Sequence, residues 1–459
     1  MNNVKHIEKK LVILFYGLFS DDQSYDWIPY SPLFVYARLK EQGFEPILIH
    51  EFKDRNYEEI IKKYANDTLF FGVSAMTGYQ LKSGIEAVKV FRKYAPANTP
   101  IVWGGAHATA MPLETLRSNY ADYVCVGNAK DSFIEFTKAL ASGTEKNSNF
   151  VDILSLDNFP EPGKRYEARD YKYELSNFPS FCFEDFDFSY LLTDNRVLNY
   201  TASVGCPGIC TFCSWGGRHP WSSLPLKRVL DDIEYLVDRY QLKSLWFSDS
   251  DLSLHKDFLL GIAQGLIDRN INIYWRCNAR VAELTRYSRE ELLLLEKSGL
   301  DRMFLGVENV SLDIQKLYRK MITPEMVFDI LRKTKGINIQ IMMSFIFGNP
   351  RGLKDLEENR NFLTECQSID PDNVRFQVCF YTPYPGTPMT DLAEIDGYKS
   401  PVSLEEYSGS VYFLDTDRSL KEKISWFSLE DSSRYIDQYE KLFPKIDSAP
   451  EWGWRAKAK

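Results

Sequence analysis

Short apolar runs alternate twice with amphipathic segments along this chain, and this alternation limits the possible fold more than any other feature. In the first series, runs such as 11–16 and 69–75 have no polar face, which is typical of parallel strands buried on both sides. Segment 79–95 between two such runs repeats apolar residues at helical spacing. The series predicts an α/β domain with a flavodoxin-like, doubly wound sheet. Its predicted strands are 11–16, 46–51, 69–75, 100–105 and 122–127.

The second series begins near residue 196 and predicts a different α/β arrangement. Its successive strand–helix units favour a partial, TIM-like (β/α)6 barrel that is open on one side, with the loops after the strands facing a common mouth. The predicted strands are 196–203, 244–250, 271–278, 301–308, 338–348 and 373–381. The predicted helices lie near 226–240, 257–269, 288–298, 323–335 and 353–367.

The length of 459 residues exceeds what one hydrophobic core ordinarily organises, so the two series predict two domains. We place the first domain at 1–145 and the second at 191–390. Between them, 146–190 loses the alternation and gathers proline, aspartate and aromatic residues, which indicates a linker. The aromatic and acidic segment 391–459 is expected to form a small, mainly helical cap.

Charge and hydropathy exclude some classes of protein. A net charge of -9 without a basic stripe argues against nucleic acid as a partner. No run of about 18 apolar residues predicts a membrane span. The apolar run 11–16 breaks at Gly17 and has no small-residue cleavage site, so it indicates a buried strand rather than a signal peptide. We therefore expect a cytoplasmic protein.

Three of the eight cysteines lie in one loop, "TASVGCPGICTFCSWGG" (201–217), at positions Cys206, Cys210 and Cys213. In a reducing compartment such a cluster indicates a metal site or catalysis rather than disulfides. Structural zinc prefers four ligands, and the nearest further candidate, His219, has no fitting offset. Three thiolates around a [4Fe-4S] cluster leave one iron open for a substrate or cofactor. The other cysteines are predicted to be buried small hydrophobes: Cys125, Cys182, Cys277, Cys366 and Cys379.

The Cys-x3-Cys-x2-Cys spacing resembles that of the radical S-adenosylmethionine (SAM) enzymes. The resemblance implies that Cys206, Cys210 and Cys213 bind a [4Fe-4S] cluster whose open iron binds the amino and carboxylate groups of SAM. One electron then cleaves SAM and releases a 5'-deoxyadenosyl radical, which removes a hydrogen atom from the substrate. An electron donor such as flavodoxin or ferredoxin is implied. Phe212, just before the last cysteine, offers a flat face to a purine ring.

Other strand ends match this family residue by residue. Ser248, Asp249 and Asp251 resemble polar groups that face the amino end of SAM, although the Gly-Gly-Glu form common in relatives is absent. A polar turn that caps the next helix is the alternative. Glu308, in "GVEN", resembles the residue that contacts the ribose or amine of the cofactor.

Later segments add further candidates. Ser344 and Gly348, in "SFIFGNPRG", resemble a segment that approaches ribose and adenine. Arg276 either contacts cofactor or substrate or forms a structural ion pair. The ending "FYTPYPGTPM" (380–389) resembles that of the branch with an N-terminal cobalamin domain. Aromatic residues near the expected mouth suit either a substrate or core packing, namely Trp215, Trp246, Tyr381 and Tyr384.

The first domain resembles the cobalamin-binding domain of the cobalamin-dependent subfamily in "GVSAMTGYQL" (72–81) and "PIVWGGAHAT" (100–109). The resemblance implies that small residues admit the dimethylbenzimidazole tail between sheet and helices, whereas the alternative is that they only relieve crowding. The implied cobalamin contacts are Ser74, Thr77, Gly104, Gly105, His107 and Gly127.

His107 and the loop after the first strand raise the question of the cobalt ligand. The loop 17–27 lacks the Asp-x-His-x-x-Gly motif that supplies a histidine to cobalt in cobalamin mutases. His107 either contacts the corrin edge, packs locally or ligates cobalt. The segment "VGNAKDS" (126–132) also replaces the Gly-Glu-Gly commonly seen there.

Together these resemblances imply a cobalamin-dependent radical SAM enzyme of the class B methyltransferase type. It would transfer a methyl group from SAM, through methylcobalamin, to an unactivated carbon of a peptide or natural product. A non-methylating cobalamin-dependent radical enzyme that performs oxidative cyclisation, ring contraction or another rearrangement would share every motif. A cobalamin- or iron–sulfur-based sensor or carrier is the non-enzymatic alternative.

Overall fold

The computed structural model describes residues 10–19, 26–128, 131–147, 150–159, 174–214, 219–350 and 355–409, with residues 430, 434 and 437. Within them, two sheets of six strands each form the framework, and a two-stranded hairpin is inserted between the first two strands of the second sheet. Trp215 and most of the predicted C-terminal cap lie outside the described residues.

The first sheet has the strand order β2-β1-β3-β4-β5-β6. Its first five strands are parallel, and their order 2-1-3-4-5 confirms the predicted flavodoxin-like fold. The strands are β1 (Leu11–Tyr16), β2 (Glu45–His50), β3 (Thr68–Ser74), β4 (Ile101–Gly104), β5 (Tyr123–Cys125) and β6 (Ile153–Leu154). The helices are α1 (Tyr30–Glu41), α2 (Tyr57–Tyr64), α3 (Tyr79–Tyr94), α4 (Gly105–Ala110), α5 (Pro112–Arg117) and α6 (Asp131–Ser142).

Strand β6 lies inside the predicted linker and pairs antiparallel with β5. The first sheet therefore continues beyond residue 145. Short 3-10 turns occupy Ala65–Asp67, Glu145–Asn147, Phe183–Asp185 and Ser189–Leu191.

The second large sheet has its strands in chain order, β7-β10-β11-β12-β13-β14, and every neighbouring pair is parallel. This open series confirms the predicted partial barrel. Its strands are β7 (Val197–Tyr200), β10 (Ser244–Phe247), β11 (Tyr274–Arg280), β12 (Leu300–Glu308), β13 (Gln340–Phe347) and β14 (Val374–Phe380), and the hairpin strands are β8 (Ser203–Cys206) and β9 (His219–Ser223). The helices are α7 (Leu226–Tyr240), α8 (Lys256–Asp268), α9 (Val281–Leu284), α10 (Arg289–Lys297), α11 (Leu312–Tyr318), α12 (Pro324–Thr334), α13 (Leu356–Ile369), α14 (Pro388–Ile395) and α15 (Leu404–Gly409).

Local sequence explains where these helices begin and which face they bury. Helix α10 begins with a capping box, in which the side chains of Ser288 and Glu291 satisfy backbone amides of the first turn. Helix α12 has Thr323 as its N-cap and Pro324 at its first position. Helix α7 buries residues at three- and four-residue spacing, which packs one face on the barrel: Val229, Leu230, Ile233, Leu236 and Tyr240.

The two domains contact each other through the segment that precedes α1. The side-chain amide of Asn199, on β7, accepts from the backbone amide of Ile28 at 2.8 Å and donates to its carbonyl at 3.3 Å. The rings of Trp27 and Trp246 meet edge to face at 4.9 Å. The C-terminal helix α15 also reaches the first domain, because Tyr407 belongs to its hydrophobic core. No helix in the described ranges has the length and apolar character needed to cross a bilayer.

Candidate functional site

A cavity of about 1720 Å³, measured with its solvent-open part, lies where the two domains face each other. One wall is the carboxyl edge of the first sheet, which is where ligands bind doubly wound folds. The opposite wall belongs to the second domain and consists of Thr201, Ser203, Val204, Gly205, Ser214, Ser248, Asp249 and Ser250. A single cavity therefore touches both the predicted cobalamin edge and the residues that flank the cysteine loop.

Four of the small residues predicted to contact cobalamin line this cavity: Ser74, Gly104, Gly105 and Gly127. Gly105 has φ +89°, and a Cβ atom there would lie 2.7 Å from the carbonyl oxygen of Ala75, so only glycine fits. The hydroxyls of Ser74 and Ser31 share a hydrogen bond of 2.7 Å. The strand ends are thus held without large side chains, which leaves the edge of the sheet open.

The cavity continues between the sheet and the helices beside it. Leu14, Gly72 and Val102 form one row across β1, β3 and β4, and all three line the cavity together with Val35 and Phe133. A Cβ atom on Gly72 would come within 2.9 Å of the Leu14 side chain, so Leu14 packs directly against the glycine. An apolar slot of this kind fits a flat aromatic group.

Thr77 and His107 do not line the cavity. They are buried, share a hydrogen bond of 2.8 Å between Oγ1 and Nδ1, and His107 packs edge to face on Tyr407 at 5.0 Å. Burial lowers the pKa of His107 from its usual value to about 3. In this placement His107 is a neutral packing residue, which favours the local-packing alternative over a cobalt ligand.

The cysteine loop is the connection of the β8–β9 hairpin, which begins directly after the first barrel strand. Cys206 ends β8, and the amide of Cys213 donates to the carbonyl of Cys210 at 3.2 Å. A Cβ atom on Gly208 would lie 3.3 Å from the Cys206 sulfur and 3.7 Å from the Cys210 sulfur. A side chain at this position would therefore be crowded against the Cys206 sulfur and in ordinary contact with the Cys210 sulfur.

The donor chemistry of the loop fits an iron–sulfur cluster. Throughout the described ranges, no three histidine, cysteine, aspartate or glutamate side chains are grouped to hold one metal ion. A [4Fe-4S] cluster instead takes its ligands one per iron, and its ligands are thiolates. Cys206, Cys210 and Cys213 are all partly exposed and form no disulfide, so three thiols could bind three irons and one iron would keep an open position.

Cationic side chains lie beside these thiols. The position of a Cβ on Gly208 is 3.8 Å from the guanidinium carbon of Arg280, which is the last residue of β11. Burial raises the pKa of Cys210, and the positive charges of Lys320 and Arg280 oppose that shift. These two cations offset only part of the shift, because the charge of Glu308 raises the pKa of Cys210 together with burial.

Asp249 holds the base of the cysteine hairpin. Its buried carboxylate accepts from the amide of Ala202 at 3.2 Å and from the amide and hydroxyl of Ser203 at 2.5 Å each. Burial raises its pKa to about 6, although these hydrogen bonds lower it. Ser248 joins Thr201 through their hydroxyls at 2.9 Å. Ser248 and Asp249 both line the cavity while supporting the hairpin.

Asp251 is fully buried and does not line the cavity. One carboxylate oxygen accepts from the amide and hydroxyl of Ser253, at 3.0 and 2.7 Å. The other oxygen has no hydrogen-bond partner among the described residues. Burial raises the pKa of Asp251 to about 6. Asp251 thus forms a polar turn with Ser253 but does not cap α8, whose N-cap is His255 without a side-chain hydrogen bond.

Glu308 closes β12 with a left-handed φ of +69°. Its Oε1 atom lies 2.6 Å from the ammonium of Lys320, and its Oε2 accepts from the hydroxyl of Ser344 at 3.1 Å. The structure thus brings together Glu308 and Ser344, both predicted to contact SAM. Phe212 joins this group, because the Lys320 ammonium lies 5.8 Å from its ring centre and Tyr318 packs edge to face at 5.0 Å.

Each of the two domains matches a known protein family. The profile of the B12 binding domain matches residues 22–137, and that of the radical SAM superfamily matches residues 200–363. The chain belongs to the radical SAM enzymes that carry a B12-binding domain. The predicted family and fold class are therefore confirmed.

Two curated relatives cover most of this radical SAM enzyme. An uncharacterised methyltransferase of Pyrococcus horikoshii is 26% identical over 356 residues, which are 73% of this chain and 71% of the relative. An anaerobic magnesium-protoporphyrin IX monomethyl ester cyclase of Rubrivivax gelatinosus is 23% identical over 397 residues, 83% of this chain and 69% of the relative.

Two solved structures share the fold. The methyltransferase TsrM of Kitasatospora setae superposes with a TM-score of 0.69 at 15% identity, covering 87% of this chain and 82% of TsrM. Its structures hold tryptophan substrate with a SAM analogue, or cobalamin and a [4Fe-4S] cluster. OxsB with aqua-cobalamin bound superposes with a TM-score of 0.68 at 18% identity, and the match covers 84% of this chain and 61% of OxsB.

The remaining candidates lie inside the radical SAM barrel. Arg276, on β11, is fully buried in register with Trp246 of β10 and Arg302 of β12. Burial lowers its pKa to about 9, while the charge of Asp301 opposes that shift. Arg276 does not line the cavity. Gly348 follows β13 with φ +71°.

The aromatic candidates differ in their placement. Tyr381 is buried, and burial raises the pKa of Tyr384 to about 12. Trp246 packs on Trp27 of the B12-binding domain. None of these three lines the large cavity.

The sequence-based candidates do not include two residues that lie beside the cysteine loop, Arg280 and Lys320. Arg280 ends β11 at the same edge as the other strand-end candidates, so its position in that pattern is a usable signal. Lys320 follows α11 and has no such signal.

Proposed function

We propose that this enzyme is a cobalamin-dependent radical SAM methyltransferase that methylates an unactivated carbon of a peptide or natural product. The observation that supports this most is the single cavity whose walls are the carboxyl edge of the B12-binding domain and the base of the cysteine hairpin. A methyl donor held at one wall and a radical generated at the other would then meet the same substrate carbon. The methyltransferase relatives support this reaction type.

Each group has a set of residues that would hold it. Cys206, Cys210 and Cys213 would bind the [4Fe-4S] cluster, and Glu308 and Ser344 would contact SAM. The edge formed by the cavity-lining small residues of the B12-binding domain, Ser74, Gly104, Gly105 and Gly127, would hold cobalamin. When bound, the cluster and SAM supply a deoxyadenosyl radical, and cobalamin supplies the methyl group.

The residues of the chain itself bind, orient and exclude water. Asp249 fixes the start of the hairpin, so the cysteines keep a constant position relative to β10. The apolar row of Leu14, Gly72 and Val102, which lines the cavity beside the sheet, would exclude water there. An external one-electron donor, such as flavodoxin or ferredoxin, would reach the loop near Ile209, which is 57% exposed.

The test uses anaerobically reconstituted enzyme, methyl-labelled SAM, a reductant and cobalamin, with candidate substrates. We expect label in the product and one deoxyadenosine for each methylation event. Labelled product without deoxyadenosine would contradict the radical route. Absence of SAM cleavage in a fully loaded enzyme would contradict the proposed function as a whole.

Alanine variants of the cysteines test the cluster separately. Cys206→Ala, Cys210→Ala and Cys213→Ala should each abolish SAM cleavage and the brown iron–sulfide absorbance. Cys366→Ala is the matched control, because Cys366 is buried in α13 and belongs to the hydrophobic core. Retained turnover in any of the three loop variants would contradict the assignment.

A non-methylating reaction is the second candidate, because the relative that covers 83% of this chain is a cyclase. Such an enzyme would use the same cofactors for oxidative cyclisation or ring contraction. Deoxyadenosine and altered substrate without incorporated label would favour it over methylation.

A further inference from the structure

Lys320 and Glu308 form an ion pair that is almost withdrawn from solvent. The ammonium lies 2.6 Å from Oε1, and each side chain is only 9% exposed. Removing one partner of such a pair leaves the other as a buried, uncompensated charge. The negative charge of Glu308 is therefore balanced by Lys320, and both groups are shielded from solvent.

The backbone around the pair adopts conformations that most residues avoid. Arg319 has φ +53°, Met321 has φ +57° and Glu308 has φ +69°, all in the left-handed region. This conformation is unfavourable for residues other than glycine. The two left-handed residues on either side of Lys320 turn its side chain inward, while Met321 stays 65% exposed.

Gln315 holds these two backbone segments together. It is buried, and its side-chain amide donates to the carbonyls of Val307 and Asn309, on either side of Glu308. Its Oε1 accepts from the amide of Ile322 at 3.0 Å, and its backbone carbonyl accepts from the amide of Lys320 at 3.1 Å. The strand end and the lysine segment therefore form one rigid unit.

Gly306 leaves the space that the ion pair occupies. A Cβ atom on Gly306 would lie 2.5 Å from the ammonium of Lys320 and 2.6 Å from Oε1 of Glu308. A larger residue at this position would therefore require the ends of both side chains to shift.

The pair is directed toward the proposed SAM site. The second carboxylate oxygen, Oε2, accepts from Ser344, and the Lys320 ammonium lies over Phe212, the residue before Cys213. We propose that Lys320 is a positioning residue, which holds Glu308 so that its carboxylate accepts hydrogen bonds from the ribose hydroxyls or the ammonium of SAM. This inference rests on the proposed function, because it requires SAM at this site.

Binding measurements on cluster-loaded enzyme test the role of Lys320 without relying on turnover. Lys320→Met keeps the length of the side chain and removes its charge, so we expect SAM to bind about tenfold more weakly. Lys316→Met is the matched control, because Lys316 is 68% exposed and lies 4.0 Å from Asp313. The control should bind SAM as the wild type does. Iron content and the visible absorbance of the cluster should be unchanged in both variants.

The double variant with Glu308→Gln separates positioning from a general structural effect. If Lys320 acts through Glu308, Lys320→Met should change SAM affinity less than about twofold in the Glu308→Gln background, since nothing charged remains to be held. This double variant has no unpaired buried charge, so it should also unfold at a higher temperature than Lys320→Met alone.

The outcomes distinguish this inference from the proposed function. The positioning role would be overturned if Lys320→Met bound SAM with wild-type affinity. It would also be overturned if Lys320→Met weakened SAM binding equally in the wild-type and Glu308→Gln backgrounds. Loss of the cluster in Lys320→Met would overturn it as well, because the lysine would then support the cysteine loop. If the loaded wild type binds no SAM, the proposed function fails instead.

Discussion

The carboxylate of Asp249 accepts both the backbone amide and the hydroxyl of Ser203, each at 2.5 Å. This contact joins the end of β10 to the first residue of the cysteine hairpin, and the other carboxylate oxygen accepts the amide of Ala202. The hairpin is thus anchored by a side chain from a neighbouring strand rather than by its own pairing alone.

Asp249→Asn should therefore loosen the cysteine hairpin. The amide nitrogen of asparagine would replace one of the two carboxylate oxygens. It would then face either the amide of Ala202 or the amide and hydroxyl of Ser203. In both orientations at least one buried donor loses its acceptor, which costs about 1–3 kcal/mol. We expect a lower unfolding temperature and a lower iron content after reconstitution, measured by calorimetry and iron analysis. Wild-type iron content in the variant would show that the hairpin does not need this anchor.

The raised pKa of Asp251 predicts a pH effect on stability. Its pKa is about 6 in the folded protein and near 3.8 ordinarily, so between these values the folded state binds the extra proton. Stability from this group is therefore lost as the pH rises from about 4 to about 6, by about 1.4 kcal/mol for each pKa unit.

Asp251→Asn removes that pH dependence and keeps the acceptor for Ser253. Compared with wild type, the variant should gain stability as the pH rises from about 4 to about 6 and keep the gain above that range. Unfolding midpoints across this range test it, with Asp313→Asn as control because that side chain is 93% exposed. A constant difference between wild type and Asp251→Asn at every pH would refute the prediction.

His107 should change stability with pH in the opposite direction to Asp251. Burial lowers its pKa to about 3 from the usual 6.5, so below pH 6.5 only the unfolded chain takes up a proton. Wild-type stability should fall as the pH drops from about 6.5 toward 3, by about 1.4 kcal/mol for each pKa unit. In His107→Leu this slope should be absent, although the variant should be about 1 kcal/mol less stable at pH 7.5, since Thr77 loses its partner.

The same variant decides whether His107 ligates cobalt. With cob(II)alamin bound, the electron paramagnetic resonance spectra of wild type and His107→Leu should be the same. Nitrogen splitting that is present in wild type and lost in the variant would identify His107 as a ligand and contradict its placement here.

The strands and helices that the sequence predicted well are those with a strong local pattern. Helix α7 was predicted within its observed bounds, 226–240, because its apolar residues recur at helical spacing. The hairpin strand β9 was missed, because "HPWSS" has neither an apolar run nor a clear alternation. Strand β6 contains only two residues, which is too short for any periodicity to show.

Site residues, too, were predictable only where a local sequence pattern marks them. Glu308 was identified because it ends an apolar strand within a recognisable motif. Lys320 was missed, because its inward direction depends on the left-handed conformations of Arg319 and Met321, and neither residue type signals that conformation. The support that Asp249 gives to Ser203 also depends on how two strands that are distant in sequence meet.

Gly104 tests whether the cavity edge holds cobalamin. A Cβ atom there would have no neighbour nearer than 3.8 Å, and φ is an extended -141°, so side chains fit without backbone strain. Gly104→Ala should bind hydroxocobalamin within about threefold of wild type, whereas Gly104→Leu places a branched side chain in the cavity and should bind at least about tenfold more weakly. Equilibrium dialysis measures both affinities, and unfolding temperatures confirm that both variants fold. Wild-type affinity in Gly104→Leu would mean that the corrin lies elsewhere, because an occupied edge has no room for that side chain.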